Sequence, residues 1–181
     1  LPIGGQYKAF VEGFSSYVPY QGFAEILQLD PDFNLVGIKA VPYLLESHMK
    51  TEKIDESKYV LAGMAYSSST YYDVGIAKLT LDDDSITYNH AGGPGASVDY
   101  SGWQKCISKA NANSFYVGGT ENDNGLFYSC FTARKVMMLS NYDSMLNCRW
   151  TRFYGSDTAC YTLSTLEATS DGGCIMGGMF C

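Results

Sequence analysis

A short apolar run that enters a glycine occurs four times in this chain, each time followed by segments of the same kind, and this recurrence limits the possible folds more than any other feature. The runs are KAFVEGFSS from Lys8, KYVLAGMAYS from Lys58, SFYVGGTEN from Ser114 and GCIMGGMFC from Gly173. Their aligned glycines, Gly13, Gly63, Gly119 and Gly178, stand about 50 to 59 residues apart. A spacing that drifts while the order of segments holds is what a structural repeat with variable loops produces.

Each of the first three runs leads into an alternating segment: GFAEILQLD from Gly22, GIAKLTLD from Gly75 and CFTARKVMML from Cys130. Alternation is the signature of a strand with one buried face, since successive side chains point to opposite sides. In GIAKLTLD the set Ile76, Lys78, Thr80 points one way and Ala77, Leu79, Leu81 the other. Turn formers follow, DPDFN at Asp30, DDDS at Asp82 and LSNYDS at Leu139, and then third strands such as SITYNHA and MLNCRWTRFYG. A fourth strand is expected in SHMKTEKID, GWQKCISKANA and CYTLSTLEATSDGG, joined by a polar turn to the next run. The chain therefore divides into repeat units 8–57, 58–113, 114–172 and a partial unit 173–181, all within one all-β, antiparallel domain spanning 1–181.

The sequence Asp171-Gly172-Gly173, three residues, then Gly177-Gly178, together with a strand closing as Lys-Leu-x-Leu-Asp before a turn, resembles extracellular β-propeller proteins with four-stranded blades of roughly 50 residues. The likeness runs from about Lys8 to Cys181; Glu12 and Ala62 stand where the later copies have Gly118 and Gly177. It implies about three blades plus one strand, fewer than the roughly four to eight that close a propeller. The expectation is a partial array: a fragment of a longer protein, or an open array whose edge strands are completed by neighbours. The chain's start at Leu1, without an initiator methionine, agrees with a processed chain or fragment. The alternative fold is a β-sandwich of short strands.

Composition narrows the function. The net charge is −7, and twelve Lys and Arg residues form no stripe that could neutralise a phosphate backbone, so nucleic acid is not an expected partner. No run approaches the roughly 18 apolar residues of a membrane-spanning helix. Six cysteines, Cys106, Cys130, Cys148, Cys160, Cys174 and Cys181, show no C-x-x-C spacing, and His48 and His90 stand far from them, so neither a zinc ribbon nor a thioredoxin-like motif fits. An even count in a Tyr- and Gly-rich, weakly charged chain reads as disulfides in an oxidising compartment, with buried thiols of an intracellular protein as the alternative. Hairpin placement favours Cys130 with Cys148, worth on the order of 3 kcal/mol, and then Cys160 with Cys174, leaving Cys106 and Cys181.

Acidic turns at Asp82–Asp84 and Glu121–Asn124 supply oxygens that calcium accepts, but neither follows the twelve-residue calcium loop, and both read as tight turns. No metal and no cofactor is expected. No nucleophile elbow accompanies the histidines, and GGPGAS from Gly92 lacks the lysine of a phosphate loop. The clusters Tyr66, Tyr71, Tyr72 and Trp150, Phe153, Tyr154 read as sheet packing before sugar contact. The expectation is a non-enzymatic extracellular or cell-surface module, a scaffold or filament subunit whose partner is protein: copies of itself or the rest of a longer chain. The alternatives are a propeller domain holding a glycan or peptide on loops such as 92–100, and a carboxylate-dependent glycoside-active enzyme.

Overall fold

A computed structural model describes residues 2–3, 6–14, 22–41, 50–68, 71–83, 85–91, 100–102, 104–121 and 135–180. Among them every element is a strand: β1 (Pro2–Ile3), β2 (Gln6–Phe14), β3 (Gly22–Leu29), β4 (Leu35–Val41), β5 (Lys50–Lys53), β6 (Lys58–Ser68), β7 (Tyr71–Thr80), β8 (Ser85–Ala91), β9 (Tyr100–Ser101), β10 (Ile107–Asn111), β11 (Ser114–Glu121), β12 (Val136–Asp143), β13 (Cys148–Tyr154), β14 (Tyr161–Ala168) and β15 (Cys174–Phe180). They form four antiparallel sheets in chain order: β1 to β4, β5 to β8, β10 to β13 with β9 added beside β11, and the pair β14-β15.

The glycine-entering runs become β2, β6, β11 and β15, as the repeat requires. The sheets, however, begin one strand earlier than the repeat units. β5, whose KTEK closes the first unit, pairs with β6 of the second through Thr51↔Leu61 and Glu52↔Val60. β10 pairs with β11, and β14 with β15, in the same way. The short polar turns explain this, since a strand joined to the next by two to five residues has little choice but to pair with it.

Two kinds of turn recur. After β5, β10 and β14 the side-chain oxygens of Asp55, Asn111 and Asp171 each accept from the backbone amide two residues on, at Ser57, Asn113 and Gly173. After β3 and β12 a five-residue turn recurs as DPDFN and DSMLN. Asp30 Oδ1 accepts from the amides of Asp32 and Asn34, and Asp143 Oδ1 from those of Met145 and Asn147. In both, the fourth residue takes a positive φ, 64° at Phe33 and 65° at Leu146. The asparagine donates a side-chain hydrogen bond back to the aspartate, and backbone bonds between the first residue and the fourth and fifth close the turn.

The sheets stack face to face. Val60, Ala62, Val74 and Ile76 of the second meet Ile107, Phe115, Val117, Met138 and Tyr142 of the third in one buried cluster. Tyr116 and Leu139, on the other side of the third, meet Leu163 and Leu166 of the fourth. Both faces of β6 and β11 are covered, Tyr59 to Met64 and Ser114 to Thr120 being buried throughout, which is why these runs are continuously apolar. Close approach requires glycine at Gly118, where a Cβ would lie 2.6 Å from the terminal methyls of Leu163 and Leu166.

Candidate interaction surfaces

Lysines clamp the stack where its sheets meet. Lys8 of β2 donates to the Leu81 carbonyl beyond β7, Lys78 of β7 to the Ser144 carbonyl in the DSMLN turn, and Lys109 of β10 to the Ile54 carbonyl beyond β5. Lys105 ties three sheets: its ammonium lies 3.3 Å from Glu52 on β5 and 2.5 Å from Glu167 on β14. It is placed by an excursion between β9 and β10, where Lys105 bridges Thr165 in parallel, Gln104 donates to the Ser164 carbonyl and Leu166 donates to that of Lys105. Burial works against the charge of Lys105, yet its bonds to Glu167 and Glu52 hold its pKa above the ordinary lysine value. The same ammonium holds the Glu167 carboxyl below the usual range.

Lys105→Met is therefore expected to destabilise the fold by on the order of 1 kcal/mol at neutral pH, the pair being half-exposed. Glu167 contributes above its unfolded pKa and loses that contribution as pH falls through its lowered folded value; Lys105 contributes below its unfolded pKa and loses it as pH rises through its raised one. The gap between wild type and variant, measured by denaturant unfolding, should be full from about pH 5 to 10 and close outside that window. A gap independent of pH would assign the role of Lys105 to packing instead.

Among the described residues, the outward faces of the first and fourth sheets carry exposed apolar side chains. On the outer face of the first sheet the register aligns Tyr7 with Leu29, Ala9 with Leu27, Leu27 with Ile38 and Leu29 with Leu35. Leu35 and Ile38 remain more than half exposed there, and Phe33 covers Tyr7 with its ring, centroids 4.6 Å apart. The opposite face holds the fully buried Ile26. At the other end, Ile175 and Met179 of β15 are 64% and 57% exposed, while Met176 and Cys174 turn inward against the third sheet. Contiguous exposed apolar surface of this kind marks contact sites.

The expected pairing of Cys160 with Cys174 is corrected. No disulfide joins Cys106, Cys148, Cys160 and Cys174 to one another. Cys174 faces Ala168 in the β14-β15 register, whereas Cys160 precedes Tyr161, which faces Phe180 at the far end of the hairpin. Cys106 lies in the core, with its thiol on the Ala62 carbonyl, and Cys148 sits at the exposed start of β13. Burial pushes the Cys174 thiol up, away from the reactive thiolate. Cys130 and Cys181 lie outside the described residues, as do His48, loop 92–99 and 122–125.

Among the described residues no three His, Cys, Asp or Glu side chains converge on a metal site. Asp83 accepts from the Ser85 amide, the turn role expected of it. Trp150 packs against Tyr116 and carries Arg152 over its ring at 4.9 Å, so it belongs to the contact between the third and fourth sheets, while Phe153 and Tyr154 are exposed. Tyr66 and Tyr72 face each other across β6 and β7. A cleft of about 270 Å³ lies between the second and third sheets, lined by Asp55, Lys58, Lys78, Asn113 and Met145. Its ammonium groups are held by Asp55 and the Ser144 carbonyl, which leaves no assembled nucleophile and base.

Sequence reasoning missed the excursion that carries Lys105, because it placed this lysine inside the expected strand GWQKCISKANA, whereas β10 begins only at Ile107. No family model matches the chain, and no curated protein matches it. No helix among the described residues is long and apolar enough to cross a membrane.

Proposed function

We propose that the chain is a non-enzymatic structural and interaction module, its consecutive four-stranded sheets being blades of a propeller-like array that engages protein through the open ends of its stack. The observation that carries this reading is the exposure of apolar side chains on the outer face of the first sheet and on β15, when the central strands β6 and β11 of the sheets between them are buried on both faces. Interior sheets of the same design bury such residues against a neighbour, and exposure at the ends is relieved by another protein surface. A place at the cell surface rests on the weakly charged, Tyr- and Gly-rich composition; the cysteines lend it no support, because the described ones are not bridged to one another.

Sedimentation velocity of the full chain, combined with a glycan array, tests the reading. Assembly beyond one chain, weakened by Ile38→Lys, is the expected result. A monomer that retains a defined sugar would overturn the module reading in favour of a ligand-binding domain.

A further inference from the structure

Two lysines stand on the face of the second sheet that is turned toward the third. Val60 and Ile76 belong to the cluster buried between these sheets, and Val60 faces Lys78 in the β6-β7 register, so Lys78 shares their side. Lys58, two residues before Val60 and opposite Thr80, shares it too. That makes Lys58 and Lys78 diagonal neighbours, with Cα atoms about 7 to 8 Å apart. β6 and β7 are the central strands of their sheet, so these charges do not serve to blunt an edge.

Both lysines line the cleft of about 270 Å³ between the second and third sheets. Asp55 is the one carboxylate among its described lining residues, and Lys58 already holds it at 3.0 Å. Lys78 reaches the Ser144 carbonyl at 3.3 Å and the Met145 thioether, a weak acceptor, at 3.8 Å; no carboxylate among the described residues pairs with it. Asn113 lines the same cleft, and its side-chain amide makes no hydrogen bond among the described residues. Two ammonium groups against one carboxylate leave a positive charge facing inward in a chain whose net charge is −7.

We propose that this cleft binds a small monocarboxylate, its carboxylate received by Lys78, Lys58 and the Asn113 side chain and its short apolar chain laid against Ile54, Ala112 and Met145. A monoanion balances the surplus charge, whereas a doubly charged phosphate overshoots it. The volume lies below the roughly 300 Å³ at which sites for drug-sized ligands begin, which limits the acid to a few carbons. The walls are fixed before binding: Asp55 accepts from the Ser57 amide, and Asp143 from those of Met145 and Asn147, so little ordering is left for the ligand to impose. The site lies inside the stack and does not depend on what covers the outward faces.

Butyrate and its neutral isostere butyramide test the assignment in proton–nitrogen correlation spectra of the full chain. Butyrate should shift the amides of Asn113, Ser144 and Met145 saturably, and butyramide at the same concentration should not. Lys78→Met should weaken butyrate about tenfold or more, the usual loss when a charged hydrogen-bond partner is removed, while Lys78→Arg should stay within about threefold of wild type. Asn113→Asp, at an exposed turn position, should weaken it severalfold through charge alone, so the test holds even if Lys78→Met does not fold. Equal shifts from butyrate and butyramide, phosphate binding as tightly as butyrate, or a butyrate titration unchanged by these two variants would overturn the site.

Discussion

Phe115→Ala is expected to cost about 3 to 5 kcal/mol of stability, the usual range for emptying a fully buried aromatic site, and to lower Tm by on the order of 10 °C. Phe115 has no exposed surface and sits where β6 and β7 of the second sheet meet β10, β11 and β12 of the third. Its loss leaves a cavity between two sheets, and neither can collapse into it without breaking its own hydrogen-bonded ladder. Phe33→Ala removes an equal side chain from the DPDFN turn, where 65% of the residue is exposed, and should change stability by less than about 1 kcal/mol. Denaturant unfolding of both variants measures the contrast; equal losses would refute face-to-face stacking of the second and third sheets.

Gly178→Ala should be as damaging for a different reason, while its neighbour is spared. A Cβ at Gly178 would fall on the Thr162 carbonyl oxygen across the β14-β15 pair and on the Met137 methyl beneath it. The obstacle is backbone, so β15 must part from β14, at a cost of about 3 kcal/mol, the upper end of what overpacking imposes. Gly177→Ala meets only the movable Thr165 methyl and should cost less than about 1.5 kcal/mol. Unfolding curves of the two variants separate the accounts: if both alanines are tolerated, the register Leu163↔Gly178 is wrong.

The recurrence of glycine-entering runs was enough to place β2, β6, β11 and β15, and the alternation of GIAKLTLD was enough to place β7, because local pattern decides those elements. The grouping of strands into sheets was less legible. A repeat read from similarity has no natural starting point, and pairing across a short turn put β5 with β6 although KTEK lies in the preceding unit. LSNYDS looks like a turn by composition, yet β12 runs through it to Asp143. Ser140 bonds to Thr151 at 2.8 Å and Asn141 donates to the Phe115 carbonyl, so its polar residues are satisfied inside the sheets. The actual turn, DSMLN, depends on a carboxylate collecting amides two and four residues on. The Cys160–Cys174 pairing failed because the turn after Ala168 sets Cys174 at one end of the β14-β15 hairpin and Cys160 beyond the other.

The proposed function lives on the outward faces of the first and fourth sheets, which the sequence pattern did not mark as exposed. Burial says more: β6 and β11 have both faces covered, while β4 and β15 carry exposed leucine, isoleucine and methionine. Amide hydrogen exchange of the full chain across a range of protein concentrations is the most direct test, since it reports where any contact forms. Protection should rise with concentration in β15 and along β4 and stay constant in β6, which is already buried. Exchange in β4 and β15 that does not change with concentration would contradict the claim that this protein acts through the open ends of its sheets.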